Sequence, residues 1–467
     1  MAERSGARAV ILAAGRGTRM VSSQAKVLHP VGGLPIIEHV IRAAREGCQR
    51  EPLVVTSSEL PELEAYLRGR VETVRQKRPI GTGDALLAAR SALHGESAVM
   101  VLSGDLPLLR GSSLATLLAS FAACSAGAVL LTSVAADPAG FGRIVRRVDG
   151  RLAEIVEAAD DQVREGAVEV NTGAYILQLP EAWDALARLA ADTTRGELYL
   201  SWVPQVIEGG AETVPLTDPT ESMQVNDRVQ LAAAEAVMRD RTLHRLMLSG
   251  VTVTDPSATW VDCEVEVGSD TVIHPGTVIR GQTTVGSGCV LGPFAELHDC
   301  EVGNQCRIGR AHLSGCKLEL GVDIGPFNRV RPGSDLGPHS HLGTFTEVVR
   351  STIGAGSQVP HLSYVGDSEL GEDVNVGAGS ITANWDGEAK HRTVIEAGAR
   401  LGSDTVLVAP VKVGRKAYTA AGSVVTSDVP EGALAVSRAR QRNVEGWVAR
   451  SRPGSRHVAE VRAEEES

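Results

Sequence analysis

Val267-Gly268-Ser269-Asp270-Thr271-Val272-Ile273-His274-Pro275-Gly276-Thr277-Val278-Ile279 carries an aliphatic side chain at every sixth position: Val267, Ile273 and Ile279. The beat continues through Val285, Leu291 and Leu297, slips, and resumes at Leu336 and Leu342, at Leu370 and Val376, and at Ile395, Leu401, Leu407 and Val413. Glycine often follows the aliphatic at once, and a small residue tends to sit four places on, as Thr271, Thr277, Cys289 and Cys306 do. A period of six matches neither the roughly 3.6 of a helix nor the roughly 2 of an ordinary strand. It belongs to a parallel β-helix, in which three short strands make each triangular coil and every aliphatic points inward. Gly-rich hairpins would not hold one phase over so many units.

The rest of the chain fits that frame. At 467 residues it is too long for one ordinary core and suggests two or three domains. Aromatics are 3% and glycines number 50, as suits thin layers of Val, Ile and Leu. A net charge of −11 argues against a general binder of nucleic acid or anionic membranes. No apolar run approaches the roughly 18 residues of a membrane-spanning helix, and Ala9–Ala14 is too short for a secretion signal. The seven cysteines include no CxxC pair, so small core residues in a reducing cytoplasm are expected.

Residues 1–228 alternate strand and helix patterns. Strands are predicted at Ala9–Ala13, Leu53–Thr56, Ala98–Leu102 and Ala128–Val134, and helices at Ile36–Ala44 and Ala85–Leu93, giving a largely parallel, doubly wound sheet. Between Val229 and Met247 glycine and proline vanish and a helical stripe appears, Leu231, Val237, Met238, Leu243, Leu246 and Met247. After Arg450 the core pattern stops, and disorder is expected over 451–467.

Chemistry-bearing residues gather at strand ends. Gly15-Arg16-Gly17-Thr18-Arg19 follows the first strand and leads to Lys26; its glycines allow close backbone approach to a phosphate, and Arg19 and Lys26 supply cations. Met20 replaces the third glycine of a dinucleotide fingerprint, and no Walker Gly-Lys-Ser/Thr follows. Gln76 and Gly81-Thr82-Gly83 form a second small-residue loop. Ser103-Gly104-Asp105 puts a carboxylate at the carboxyl edge of the sheet, suited to Mg²⁺ and phosphate. Gly142, Glu157, Asn171 and Asn226 add further polar loop positions. In the coil, the period breaks at Val330–Ser334, Val348–Tyr364 and Thr382–Val394, and loops are expected there. They carry Arg331, His361, Tyr364, Asn384 and Trp385, with Glu347 at an edge.

In this order the residues resemble the sugar-1-phosphate nucleotidyltransferases. With the coil behind them, Ala9 to Trp447 is similar to the bacterial bifunctional N-acetylglucosamine-1-phosphate uridylyltransferase/glucosamine-1-phosphate N-acetyltransferase family. That resemblance implies a Rossmann-like uridylyltransferase domain at 1–228, a linker helix at 229–249 and a left-handed β-helix acetyltransferase domain at 250–450. It implies Mg²⁺ on Asp105 and Asn226, and UTP and its product on Leu12, Ala13, Ala14, Gly15, Lys26, Gln76, Gly81 and Thr82. Gly142, Glu157 and Asn171 would hold the N-acetylglucosamine, while Arg19 and Lys26 meet phosphates. For acetyl transfer it implies His361 as general base with Glu347 orienting it. Arg331, Tyr364, Asn375 and, more weakly, Lys390 would contact glucosamine 1-phosphate. Acetyl-CoA would lie on Ala378, Asn384, Trp385, Ser403, Ala421 and Arg438. It further implies a cytoplasmic homotrimer, and a product that feeds peptidoglycan and lipopolysaccharide synthesis.

Departures from the family pattern are Ala25 for proline before Lys26, Trp385 for tyrosine, Val349 and Gln358 for lysines, and Pro360 before the histidine. Arg350 is expected to swing toward the sugar phosphate in place of the lysine missing at Val349. The competing readings are a uridylyltransferase whose coil serves only oligomerisation, and a sensor that binds sugar nucleotide without turnover.

Overall fold

The computed structural model describes residues 6–77, 80–135, 140–157, 168–191 and 197–456. Its contacts divide into two units, Met1–Val267 with Val278–Thr283, and Gly268–Thr277 with Thr284–Ser467. From residue 457 on, the expected tail lies outside the described residues.

The first unit runs β1 (Arg8–Leu12), β2 (Pro30–Val31), β3 (Leu34–Pro35), α1 (Ile36–Cys48), β4 (Leu53–Ser57), α2 (Pro61–Leu67), β5 (Glu72–Gln76), α3 (Thr82–Ala88) and β6 (Ala98–Ser103). It continues with α4 (Gly111–Ala123), β7 (Ala128–Ala135), β8 (Arg143–Arg146), β9 (Leu152–Val156), β10 (Val168–Gln178), α5 (Glu181–Ala191), α6 (Val203–Val206), β11 (Ala211–Pro215) and α7 (Arg228–Leu248). The main sheet has the order β11-β7-β10-β6-β1-β4-β5. Successive residues of β1 serve opposite faces, as a pleated strand demands. Ala9 and Ile11 pack with α1, α2 and α4, whereas Val10 packs with α3 and α5. Burial on both sides explains why β1, β4 and β6 are almost wholly apolar.

Parallel pairing joins β6, β1, β4 and β5, but β10 runs antiparallel to both β6 and β7, so the sheet is mixed. A register shift between Asn171 and Tyr175 interrupts β10 where it passes the end of β6. The helix predicted at Ala85–Leu93 begins three residues early, at Thr82, because the turn after Gly81 is already helical. Asp227 caps α7 by accepting the Gln230 N–H at 2.8 Å. Leu231, Ala234, Val237 and Met238 of this helix cover Met20, Val31, Ile36, Leu108 and Val225. Met247, counted in the apolar stripe, is 39% exposed; the stripe ends at Leu246.

The second unit is a left-handed parallel β-helix. One sheet climbs from Val272–Ile273 to Leu434–Ala435, a second from Glu296–His298 to Val424–Val425, and a third from Thr284–Val285 to Val411–Val413. Ile273, Leu291, Ile308, Ile324, Leu342, Val359, Val376 and Leu401 point inward from the first sheet, and all are buried. Cys289, Cys300, Cys306 and Cys316 are buried, and all seven cysteines are free thiols.

Two of the three expected loops are absent. Strands Glu347–Val349, Thr352–Ile353, Gln358–His361 and Tyr364–Gly366 carry the coil straight through Val348–Tyr364, and Val330–Ser334 is an ordinary corner. The slip in period comes from corners one residue short. From Leu297 to Val302, Leu313 to Leu318, Val348 to Ile353 and Val365 to Leu370 the step is five. Each short corner turns on one left-handed residue: Asp299 (φ 52°), Gly315 (52°), Arg350 (46°) and Asp367 (47°). Thr382–Val394 does leave the coil, as a small hairpin with a bridge between Trp385 and Lys390. Asp386 stiffens it, accepting the Glu388 and Ala389 N–H groups and meeting His391 Nε2 at 2.6 Å.

Candidate functional sites

The carboxyl ends of β6, β1 and β5 open onto a cavity of about 330 Å³. Leu12, Ala13, Ala14, Gly15, Lys26, Gln76, Gly81, Thr82 and Asp105 all line it, so nine residues singled out in the sequence share one cavity. Val27, Ala85, Ser103, Glu197 and Tyr199 complete the wall. The last two reach it because residues 197–200 are clipped to the second small-residue loop. Gly83 N–H donates to Leu198 O at 2.8 Å, and Leu200 N–H donates to the Thr82 hydroxyl at 2.9 Å. A Cβ on Gly81, whose φ is +120°, would lie 2.4 Å from Leu198 O, so this turn accepts only glycine.

Lys26 is the hub of the charged edge. Its ammonium donates to Asp105 Oδ2 at 2.6 Å and to Asn226 Oδ1 at 2.9 Å. The Lys26 and Asp105 side chains are only 13% and 15% exposed, so water screens the pair weakly. Asp105 Oδ1 is buried with no hydrogen-bond partner. A carboxylate and an amide oxygen thus converge on one cation, with one carboxylate oxygen unspent. Among the described residues no cluster of three or more His, Cys, Asp or Glu side chains could hold a metal.

Arg19 departs from expectation. The 3₁₀ turn Thr18–Met20, bounded by left-handed Gly17 and Val21, buries Met20 and leaves Arg19 exposed, outside the residues lining the cavity. Gly142, Glu157 and Asn171 line a different patch. Asn171 N–H donates to Gly142 O at 2.8 Å, and Glu157 accepts the Ser201 hydroxyl. The Asn171 amide donates to the Tyr175 oxygen, and burial pushes the Tyr175 phenol up, holding it neutral. Gln76 Nε2 donates to Asp84 Oδ2 at 2.8 Å and to Gly81 O at 3.2 Å. Reading the loop only as far as Gly83 missed Asp84.

In the coil, His361 is exposed at a corner, opposite Thr344 in register. Glu347 does not orient it here. Glu347 lies beside Tyr364 in another sheet and pairs with Arg331 Nη1 at 3.4 Å. Nor does Arg350 swing out: its guanidinium grips Asp367 with two bonds of 2.7 Å. Arg350 holds the Asp367 carboxyl below its ordinary range, against the opposite push of burial. Asp367 also accepts from Asn384 Nδ2, which lies 3.4 Å from the Tyr364 oxygen. Asp367 therefore organises two of the predicted contacts, and no sequence motif flagged it.

Val349 is 2% exposed and Gln358 exposed, so neither position offers a cation. Pro360 packs so closely that a Cβ on Gly343 would lie 1.7 Å from its oxygen. Asn375 pairs with Gln358 below and Arg400 above. Ala378, Ser403 and Ala421 stack along one corner: Asp404 N–H donates to Ala378 O at 2.7 Å and Gly422 N–H to Ser403 O at 2.8 Å. Arg438 Nη1 closes the stack on Ala421 O at 3.0 Å. Trp385 is exposed on the hairpin.

Comparison with known proteins covers both units. The MobA-like NTP transferase domain family matches residues 9–199, and the bacterial transferase hexapeptide family matches residues 264–299. The bifunctional protein GlmU of Mycobacterium bovis (strain BCG / Pasteur 1173P2) is 43% identical over 96% of this chain and 93% of its own length. GlmU of a Geobacillus species is 42% identical over 95% and 97%, and GlmU of an Exiguobacterium species 43% over 95% and 99%. A solved Bacillus anthracis chain, described as a putative glucose-1-phosphate thymidylyltransferase, overlaps 50% of this chain at 20% identity with a TM-score of 0.43. With both halves matched in order and nearly end to end by such relatives, the chain belongs to the GlmU family of bifunctional proteins.

Proposed function

We propose that this chain makes UDP-N-acetylglucosamine by two reactions in separate halves. The coil acetylates glucosamine 1-phosphate from acetyl-CoA, and the sheet unit transfers a uridylyl group from UTP to the resulting N-acetylglucosamine 1-phosphate. The observation that carries the reading is the meeting of Lys26, Asp105 and Asn226 at the mouth of the nucleotide cavity, in a chain whose coil presents His361 to solvent.

In uridylyl transfer a phosphate oxygen of the sugar phosphate attacks the α-phosphorus of UTP, and the bond to the β-phosphate breaks to release pyrophosphate. Both partners are anions, so the side chains position and neutralise, and no nucleophilic residue is required. Asp105 and Asn226 offer hard oxygen donors that suit Mg²⁺, which would take its remaining ligands from phosphates and water. When bound, Mg²⁺ offsets charge on the reacting phosphates. Lys26, freed from Asp105, turns to the phosphates. Gly142, Glu157 and Asn171 receive the sugar.

In acetyl transfer the sugar amine attacks the thioester carbonyl, His361 takes the amine proton, the C–S bond breaks, and that proton passes to the sulfur so that CoA leaves as the thiol. Base catalysis of this kind contributes roughly a hundred- to ten-thousandfold. Tyr364, Asn375 and Arg331 face the sugar phosphate, and the Ala378–Ser403–Ala421 stack faces acetyl-CoA. An exposed base on a convex coil needs a second wall, which a trimer would supply. The cytoplasm is the compartment that holds UTP and acetyl-CoA, and the product would serve cell-wall synthesis. No helix among the described residues is long and apolar enough to cross a membrane.

The test is to supply purified protein with glucosamine 1-phosphate, acetyl-CoA, UTP and Mg²⁺, and follow CoA thiol and pyrophosphate separately. Both should appear. Pyrophosphate from N-acetylglucosamine 1-phosphate without any CoA release would favour a uridylyltransferase with an assembly coil. The pairing of Glu347 with Arg331, not His361, is the observation on that side.

A further inference from the structure

Gln76 closes β5 and is 5% exposed at the wall of the nucleotide cavity. The tight turn at Gly81 folds α3 back so that Asp84, in its first turn, faces that amide. A primary amide has two N–H donors and one carbonyl oxygen. Here both donors are spent, one on Asp84 Oδ2 at 2.8 Å and one on Gly81 O at 3.2 Å. An ionised carboxylate and a carbonyl can only accept, so the orientation of the amide is fixed by chemistry and not by an arbitrary choice between O and N. What Gln76 has left to offer a ligand is Oε1, an acceptor.

We infer that Asp84 is a specificity-determining positioning residue: it locks Gln76 as an acceptor, so the cavity selects uracil over cytosine. The inference rests on the uridylyl-transfer reading above and deepens it. Uracil presents a ring N3–H to such an acceptor, whereas cytosine presents a lone pair at the same place. Two buried acceptors facing each other leave both unpaired, and a polar site rejects the mismatched analogue strongly. Asp84 is not among the residues lining the cavity, so it acts on the base through Gln76. Without the carboxylate only the longer 3.2 Å bond to Gly81 O holds the amide, which can then turn over, offer its NH₂ to cytosine N3, and lose the discrimination.

The experiment measures UTP and CTP binding to the full-length chain by calorimetry, and KM and kcat for both in pyrophosphate release. The native chain should prefer UTP by about a hundredfold or more. Asp84→Asn, nearly isosteric, should shrink the preference to less than about tenfold, chiefly through KM, with tighter CTP binding; Asp84→Glu should restore part of it. A cooperative melt of the sheet unit and retained UTP binding report that each variant is folded. Asp84→Ser reads the same ratio should the asparagine variant fail to fold. An unchanged UTP-to-CTP ratio in both uncharged variants, with UTP still bound, would overturn the role of Asp84 alone. Failure of the native chain to bind UTP would overturn the uridylyl reading with it.

Discussion

In the sheet unit, side chains 79 and 200 positions apart meet on one ammonium, whereas in the coil the partner of Arg350 lies 17 positions on, directly above it. A doubly wound sheet draws loops from distant segments to one edge, so polar groups converge and shield each other from water. A coil hands each residue a fixed place on one rung, and its neighbours are those of the rungs above and below. The first geometry makes a pocket within one unit. The second makes ladders, such as Ala378–Ser403–Ala421, and leaves His361 and Trp385 facing outward.

The contrast predicts that damage to the convergent site is severe and confined. Asp105→Asn preserves size but removes the charge shared with Lys26. Pyrophosphate release should fall roughly a thousandfold, since charge neutralisation at phosphate accounts for several kcal/mol of the barrier. CoA release should stay near normal. Near-normal pyrophosphate release would take Asp105 out of the reaction.

His361→Ala tests the ladder side. CoA release should drop about a hundredfold or more while uridylyl transfer to N-acetylglucosamine 1-phosphate continues. If more than about a tenth of the rate survives, the proton leaves by another route.

Cutting the chain separates the two geometries. A fragment of Met1–Arg228 lacks α7 and bares Met20, Val31, Ile36, Leu108 and Val225. Relative to Met1–Gly250 it should melt roughly 5–10 °C lower, as expected for loss of a few kcal/mol of apolar cover. Gly250–Ser467 should scatter light as a trimer. A monomeric coil would mean that its ladders work without a second wall.

The smallest effect belongs to the Arg350–Asp367 pair. Arg350 is 41% exposed, so its bond to Asp367 is worth at most about 1 kcal/mol. Arg350→Ala should loosen Asn384 and raise KM for acetyl-CoA a few-fold, with less change for glucosamine 1-phosphate. The opposite order would restore Arg350 as a direct phosphate ligand.

How much was legible in the sequence follows the same divide. Glycine turns are local constraints, so Gly15, Gly81 and the cavity wall could be read one residue at a time. The joining of Lys26, Asp105 and Asn226 could not, since nothing local states that three distant segments share an edge. In the coil the six-residue beat revealed the fold, yet a corner short by one residue looks like a broken pattern. Arg350 therefore falls in a predicted loop and Asp367 in no motif at all, although each is the single left-handed residue of a tight corner. Asp84 was hidden for another reason: its value lies in what it forbids Gln76 to do.

The backbone bonds that stack Ala378, Ser403 and Ala421 also make the coil a ruler. Parallel strands stand about 4.8 Å apart, so these three positions mark off roughly 10 Å in two equal steps. An extended ligand laid along that edge is measured against a pitch that side-chain motion cannot alter. A co-substrate arm shorter by two methylenes, about 2.5 Å or half a division, would anchor at one end and miss at the other.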